Sequence, residues 1–439
     1  SAGTRIVEYF CTESRGGCWI INPNRPDRPD WIDLPGLSKV TATSVAEEVV
    51  TALTAWKAAR SRSMRERQSF GSAVHDSFAR SKAAIEVAVQ FVRKTALGPL
   101  LRQLTAEGAT HLVVIPHQAL HMLPFHAALE QDQPVVTYAP SLTVLSRLRR
   151  PSRTALKRSV VVADSVPECP AEQCQYRGQC WRLPAARLEG RYVQNMLQTT
   201  GLVVNAAEGA TATVEWFEQS LSEAGFLHLA THAVFNAEDP GSSGILFGTG
   251  PPVIGTDLDD LPYIAHDGRL AVPGVPACSQ LWTLRRLWKR VDLSSCQLAF
   301  LGGCETSVVH WDDALEEFLG IAGGFLQAGV PTVIGSLWEI SDLATLIKTR
   351  RFYRNLLAGK NGPADALFEA QSWLRMVTTE ELLNKEADLI LDCYALEFVE
   401  SPQSMEHALA ALLGHLPAAN STPFGHPFFW APFRCVGLP

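Results

Sequence analysis

Two apolar stretches of this chain end in side chains that can do nucleophilic and acid–base work. Phe226 to Ala230 runs on into Thr231 and His232, and Gln297 to Leu301 runs through Gly302 and Gly303 into Cys304. A thiol at its ordinary pKa of about 8.5 is only a few per cent ionised at neutral pH, so a nucleophilic cysteine needs a base. Neighbouring strands lie about 4.8 Å apart, and an imidazole leaving one strand end can therefore approach a thiol leaving the next. The paired glycines permit a tight strand exit. They leave the Cys304 N–H free to face a developing oxyanion, with the Ala233 N–H as the natural second donor. The pattern predicts acyl transfer through a Cys–His dyad, Cys304 the nucleophile and His232 its general base.

Each of these residues has a blander meaning. A single cysteine on an apolar strand is most often a small buried hydrophobe, the reading given to Cys296 and Cys435. His228 shares a strand face with His232 but lies one pleat back inside a sheet, where a hydrogen-bonded core histidine is expected. His117, His121 and His126 have a spacing that hints at metal, yet Pro124 disfavours a continuing helix and no acid lies among them, so no metal is expected. Cys169, Cys174 and Cys180 form no C-x-x-C pair and have no histidine close by for zinc. Gly248-Thr-Gly250 is followed by two prolines rather than a helix, and no phosphate-binding glycine loop with Lys-Ser/Thr is present. No cofactor is expected.

These residues need elements to position them. Arg5 to Phe10 and Cys18 to Ile21 read as a hairpin, followed by a Pro/Asp-rich loop from Pro23 to Pro35. Ser44 to Arg62 and Ala73 to Leu104 read as helices, and His111 to Ile115 and Pro134 to Tyr138 as buried strands. After the basic segment Arg147 to Lys157, strands are predicted at 159–163, 202–205, 226–230, 297–301, 332–336 and 433–436. Helices are predicted at 188–197, 213–222, 314–328, 343–357, 364–377 and near 405–413. A Pro/Gly-rich insertion from Pro240 to Gln280 interrupts the alternation. Continuous apolar strands with helices between them imply a mostly parallel sheet covered on both faces, with reacting groups at the C-terminal strand ends. The fold class is α/β, divided into a first unit, 1–150, and a second, 158–439.

Composition narrows the function. The 439 residues are 46% hydrophobic and 19% charged with a net charge of −7, so a large core is available and no overall positive field gathers nucleic acid or anionic membrane. No apolar run reaches 18 residues, which excludes an evident membrane span. Ten scattered cysteines suit a reducing compartment, and the cytoplasm is expected. A first residue of Ser rather than Met suggests a piece of a longer chain.

The segments Phe226-Leu-His-Leu-Ala-Thr-His-Ala233 and Leu301-Gly-Gly-Cys-Glu-Thr-Ser307 resemble the histidine and cysteine segments of CHAT peptidases, relatives of caspases and separases. Three further stretches, His111 to Phe125, Ile334 to Asp342 and His426 to Phe433, are similar in form to CHAT sequences. The resemblance runs from Val7 to Gly437. It implies a caspase-like three-layer sandwich over 158–439, preceded by a degenerate caspase-like unit without a dyad of its own. It implies a cysteine endopeptidase acting on a protein substrate, switched on by a partner in bacterial defence or regulated proteolysis. Family members often carry helical TPR repeats on the N-terminal side, which are absent from this chain.

Two departures stand out. Ala233 replaces the glycine that many relatives have after the histidine, and the 240–280 insertion is longer than usual, a candidate lid. Caspase-like folds wall the substrate cleft with the loop that here reads Ser336 to Asp342. Trp338 is therefore a candidate for packing against the peptide, with core filling as its alternative. Asp164, Glu339 and Asp342 are candidates for a carboxylate pocket favouring a basic residue, with helix capping or solvent as the alternative; Asp342 in particular is read as an N-cap. A second reading makes the chain a non-catalytic interaction module, but the presence of both His and Cys at strand ends favours the enzyme.

Overall fold

The structure, a computed structural model, describes residues 3–66, 71–149, 158–165, 183–234, 239–248, 279–303, 320–338, 341–359, 362–398 and 418–439. The chain opens on the expected hairpin, β1 (Thr4–Cys11) and β2 (Gly16–Ile21). A further strand, β3 (Asp30–Asp33), pairs with β2 inside the stretch read from sequence as loop. Four residues next to Pro29 are too few to show an alternation, and only the β2 edge makes them a strand. Two helices, α1 (Lys39–Glu66) and α2 (Ser72–Phe91), pack as a hairpin. The single helix expected from Ala73 to Leu104 is divided by a π-helical turn at Val92–Leu97, after which α3 (Gly98–Ala106) begins with Pro99 in its first turn. Proline has no N–H to give to the preceding turn, so the chain widens ahead of it. The first half closes with β4 (His111–Ile115), β5 (Val135–Tyr138) and α4 (Leu142–Arg147).

The second half begins with β6 (Arg158–Ala163), α5 (Pro184–Thr199), β7 (Val203–Glu208), α6 (Val214–Ser220) and β8 (Ala224–Ala230). The Pro240 to Gln280 stretch is not all loop. A separate antiparallel sheet joins β9 (Ala233–Val234), β10 (Gly244–Gly248) and β11 (Ser279–Thr283). Residues 249–278 lie outside the described residues, so the candidate lid does too. The chain continues with α7 (Leu284–Arg290), β12 (Leu298–Leu301), α8 (Ile321–Gln327), β13 (Thr332–Ser336), α9 (Asp342–Leu357), α10 (Pro363–Met376) and α11 (Thr379–Phe398). It ends with α12 (Pro427–Trp430) and β14 (Phe433–Gly437). The helix expected near 405–413, the start of the one expected at 314–328, and most of the basic segment taken as the domain boundary, 150–157, lie outside the described residues.

One sheet of 11 strands runs through both halves in the order β3-β2-β1-β4-β5-β14-β13-β12-β8-β6-β7. It is mostly parallel; the pairs β1–β2, β2–β3 and β13–β14 are antiparallel. The order β2-β1-β4-β5 of the first half matches the order β7-β6-β8-β12 of the second, although β1–β2 is antiparallel where β6–β7 is parallel. Alternate residues of the second-half strands face opposite ways. Val161, Phe226, Leu298, Phe300 and Ile334 meet Val193 of α5, Phe352 of α9 and Leu367 of α10. Val160, Leu227, Leu229, Ala299 and Val333 face Phe217 of α6, Leu287 of α7 and Phe325 of α8. Helices therefore cover both faces, giving the three-layer sandwich that continuous apolar strands demand.

The last strand joins the halves. β14 lies antiparallel to β13 and parallel to β5 through Val436 and Tyr138. Its Arg434, 1% exposed, donates from Nη1 to the His121 carbonyl at 2.7 Å and lies 5.0 Å over the Tyr138 ring. Above this seam Phe428 of α12 makes edge contacts with Trp56 of α1 and Phe78 of α2, with centroids 5.2 and 4.9 Å away. No helix among the described residues is long and apolar enough to cross a membrane.

Candidate active site

β8 is buried along its whole length, and its parallel pairing with β12 runs from Leu298–Phe226 to Leu301–Leu229. The pairing continues through the Gly302 N–H, which donates to the Leu229 carbonyl at 2.8 Å. A Cβ on Gly302 would stand 3.3 Å from the Ala230 Cα and 3.4 Å from Glu189 Oε1, a tight fit that the bare glycine relieves. The Gly303 carbonyl accepts from Ser336 Oγ at 2.8 Å, which ties the strand exit to the end of β13. Cys304, one peptide bond further on, lies outside the described residues, as does Glu339.

His232 is half-buried, two residues past the end of β8. Its carbonyl accepts from the Leu246 N–H at 2.9 Å, and the next residue, Ala233, pairs with Ile245. That bond pattern makes Ala233–Ile245 a pair without mutual hydrogen bonds, so the Ala233 N–H is turned away from β10.

His228 is buried in the second layer, as a core histidine should be. Its Nδ1 lies 3.1 Å from the Tyr353 hydroxyl and its Nε2 lies 3.3 Å from Glu189 Oε1. Its ring lies 5.0 Å from that of Phe300. Glu189 escaped the sequence reading, though a signal was present. It sits on α5 in line with Val193 and Leu197, at i, i+4 and i+8, where an apolar stripe would put another hydrophobe. Lys348 of α9 is also fully buried there, its Nζ 3.7 Å from the centre of the Phe433 ring, and burial drives its pKa well below the ordinary lysine value despite Glu189 nearby.

Of the four specificity candidates Glu339 lies outside the described residues, and Trp338 and Asp164 are engaged elsewhere. Trp338 is 1% exposed and donates from its indole N–H to the Phe428 carbonyl at 3.1 Å, so it fills the core under its loop and offers no face to a peptide. Asp164 is 2% exposed and already engaged. Its Oδ1 accepts from the Leu183 N–H at 2.8 Å at the start of α5, and its Oδ2 lies 2.9 Å from the Arg187 guanidinium. It organises a helix start, and an ion pair already occupies the charge that a basic substrate would need. Asp342 is the first residue of α9, and the N-cap is Ser341, correcting the N-cap reading by one residue.

In the first half both ring nitrogens of His126 are engaged, by the Tyr138 hydroxyl at 2.7 Å and the Ala431 carbonyl at 3.0 Å. Burial pushes its pKa down to about 4 and that of His121 down to about 3. Cys296 is fully buried and its thiol is pushed up to about 12. No group of three or more His, Cys, Asp or Glu side chains among the described residues has the arrangement of a metal site.

The strand order β7-β6-β8-β12-β13-β14, with helices on both faces and a histidine leaving the third strand, defines a caspase-like α/β fold. A family model described as the CHAT domain matches residues 89–438, and the chain belongs to that family. Two crystal structures of the Saccharomyces cerevisiae separase–securin complex share the fold with a TM-score of 0.51 at 11% identity, over 84% of this chain and 29% of the matched chain. This chain thus spans less than a third of the length of that relative. The Arg-specific cysteine proteinase gingipain R matches with a TM-score of 0.39 at 9% identity, over 81% of this chain and 67% of its own. No curated protein matches.

Proposed function

We propose that the chain is a cysteine endopeptidase that hydrolyses peptide bonds of a protein substrate. One observation carries this reading. β8 and β12 are adjacent and parallel with Leu229 paired to Leu301, and three residues beyond each member of that pair the sequence has His232 and Cys304. In the mechanism this supports, His232 takes the Cys304 proton and the thiolate attacks the scissile carbonyl carbon. The Ala233 and Cys304 N–H groups stabilise the oxyanion. Collapse of the tetrahedral intermediate breaks the C–N bond, and the imidazolium gives its proton to the leaving amine. A water deprotonated by His232 then cleaves the thioester and frees the new carboxyl terminus.

Regulation by a protein partner goes with this reading, in bacterial defence or other controlled proteolysis. The separase of the matched structures is held in a complex with securin. Incubating the protein with proteins encoded beside it, and mapping new termini with wild type and Cys304→Ala in parallel, tests activity and specificity together. Termini that appear equally with Cys304→Ala refute the assignment. Selective alkylation of Cys304 over the other nine cysteines is the companion measurement that separates an enzyme from a silent docking module.

A further inference from the structure

His232 does not belong to the main sheet. β8 ends at Ala230, and the two residues of β9 turn away to pair with β10. The peptide between is held by a buried knot centred on Leu246. The Leu246 N–H donates to the His232 carbonyl at 2.9 Å. On the same strand edge, the Leu246 carbonyl meets the hydroxyls of Ser165 and Thr231, the latter at 3.2 Å. Those two hydroxyl oxygens are themselves 2.5 Å apart. Ser165 and Leu246 are fully buried and Thr231 is 2% exposed, so water does not compete for these groups. A hydroxyl has one proton to give. Two protons serve three contacts, and the shortest route runs from the Thr231 hydroxyl to Ser165 and from the Ser165 hydroxyl to the Leu246 carbonyl.

The corner that carries Ser165 is itself pinned. Asp164 takes a left-handed conformation, φ 44°, which non-glycine residues adopt only when their surroundings impose it. Its N–H donates to the Ala230 carbonyl and its carbonyl accepts from the Gly209 N–H, both at 2.9 Å. Its carboxylate is held by Leu183 and Arg187. β10 comes against this corner closely enough that a Cβ on Gly248 would stand 3.1 Å from the Ser165 and Gly209 carbonyl oxygens. The end of β6, the end of β8 and the middle of β10 are thus one buried unit that holds the backbone of His232.

Resting on the reading of His232 as general base, we infer that Ser165 and Thr231 are positioning residues of the dyad. They act through the two peptide groups that flank the Leu246 Cα. A general base works within about 2.6–3.2 Å of the proton it takes, and misplacement by about 1 Å can cost a hundredfold. Two hydroxyls on the Leu246 carbonyl fix the peptide that follows its Cα, and with it the orientation of the preceding peptide, whose N–H holds the His232 backbone from which the imidazole reaches out.

The test needs no substrate. The rate of Cys304 alkylation by iodoacetamide, read by mass spectrometry from pH 5.5 to 9, reports how far a neighbouring base ionises the thiol. In wild type the rate titrates below the ordinary thiol value. In Ser165→Ala/Thr231→Val it titrates back toward about 8.5, with labelling at pH 6.5 reduced about tenfold for each unit of that shift. Thr231→Ser, which keeps the hydroxyl, restores the wild-type profile, a rescue that simple core repair by volume does not predict. A folded double variant with the wild-type profile overturns the inference. If the double variant fails to fold, the folded single variants decide: both with wild-type profiles overturn it, and a shift in Thr231→Val that Thr231→Ser reverses supports it. His232→Ala separates the two levels. A wild-type profile in that variant brings down the dyad reading itself, whereas a shift in His232→Ala alone brings down only the role of the hydroxyls.

Discussion

The two halves of the sheet arrive at their C-terminal edge by the same count. Leu229 pairs with Leu301 across β8 and β12, and three residues on the sequence has His232 and Cys304. Val114 pairs with Tyr138 across β4 and β5, and three residues on it has His117 and Ser141. The first-half pair is put to other uses. His117 Nδ1 accepts from the Cys11 N–H at 3.4 Å while its ring packs 5.0 Å from Phe10. Ser141 Oγ accepts from the Val144 N–H at 3.2 Å as the N-cap of α4. Register alone therefore brings a histidine and a hydroxyl or thiol level on neighbouring strands without making a site. The way the chain leaves the strand decides the rest: Ala139-Pro140 delivers Ser141 into a helix cap, while Gly302-Gly303 follows β12 and the His232 backbone is handed to a second small sheet.

The largest expected effect breaks the symmetry outright. Cys304→Ala and His232→Ala each lower cleavage by at least about 10²–10⁴-fold with the fold intact, and the double variant is scarcely worse than either, because the pair acts as a unit. His117→Ala and Ser141→Ala leave turnover per folded molecule unchanged. A cleavage assay in which His232→Ala keeps full activity sinks the assignment; a large loss in His117→Ala shows that the first half reaches the chemistry.

Next in size is the polar group buried against β8 in the second half. His228→Ala removes the partner of a buried Glu189 and of the Tyr353 hydroxyl. Leaving a buried polar group without its partner costs on the order of 1–3 kcal/mol. Urea unfolding measures that loss, and turnover per folded molecule stays near wild type. A variant of normal stability and no activity moves His228 from the core into the mechanism.

The halves also differ in how acid attacks them. His121 and His126 have folded-state pKa values pushed down to about 3 and about 4, below the ordinary 6.5. The unfolded chain takes up protons below pH 6.5 that the folded chain refuses. Stability is accordingly unaffected above 6.5 and falls with pH from there to about 4, by up to about 1.4 kcal/mol per pH unit for each histidine. In His126→Gln the slope seen in urea midpoints between pH 6.5 and 4.5 is shallower, with turnover per folded molecule unchanged; an identical slope refutes the role given to its burial. In the second half the lowered pKa of Lys348 has the same sign at the other end of the scale. Stability gains with pH up to the ordinary lysine value near 10.5, and Lys348→Met removes that alkaline gain and is neutral or stabilising near pH 7, since no hydrogen-bonded partner is stranded. An unchanged alkaline gain in Lys348→Met would refute the role given to the burial of Lys348.

The smallest effect concerns Trp338. Trp338→Phe loses one buried hydrogen bond to the Phe428 carbonyl, worth about 0.5–1.5 kcal/mol, and leaves the cleavage-site preference of a peptide library unchanged. A changed preference would return Trp338 to the substrate cleft.

The class of fold and the strand ends that matter were legible in the amino-acid pattern alone. Continuous apolar runs such as Phe226 to Ala230 and Thr332 to Ser336 become buried strands because apolar side chains dominate both faces, the few polar ones such as His228 and Ser336 being partnered inside, and His232 and Cys304 mark two such runs by standing just beyond their ends. The roles of acids and aromatics were not legible there, because a side chain's direction depends on neighbours distant in sequence. Asp164 could line a pocket or start a helix until Leu183 and Arg187 claimed it, and Trp338 could face a peptide or the core until α12 arrived with the Phe428 carbonyl. Folding alone brings together Ser165, Thr231 and Leu246, each 15 or more positions from the next, behind His232. Local patterns are set by one chain's own periodicity; the support of a reacting group is set by which strands the whole sheet makes neighbours.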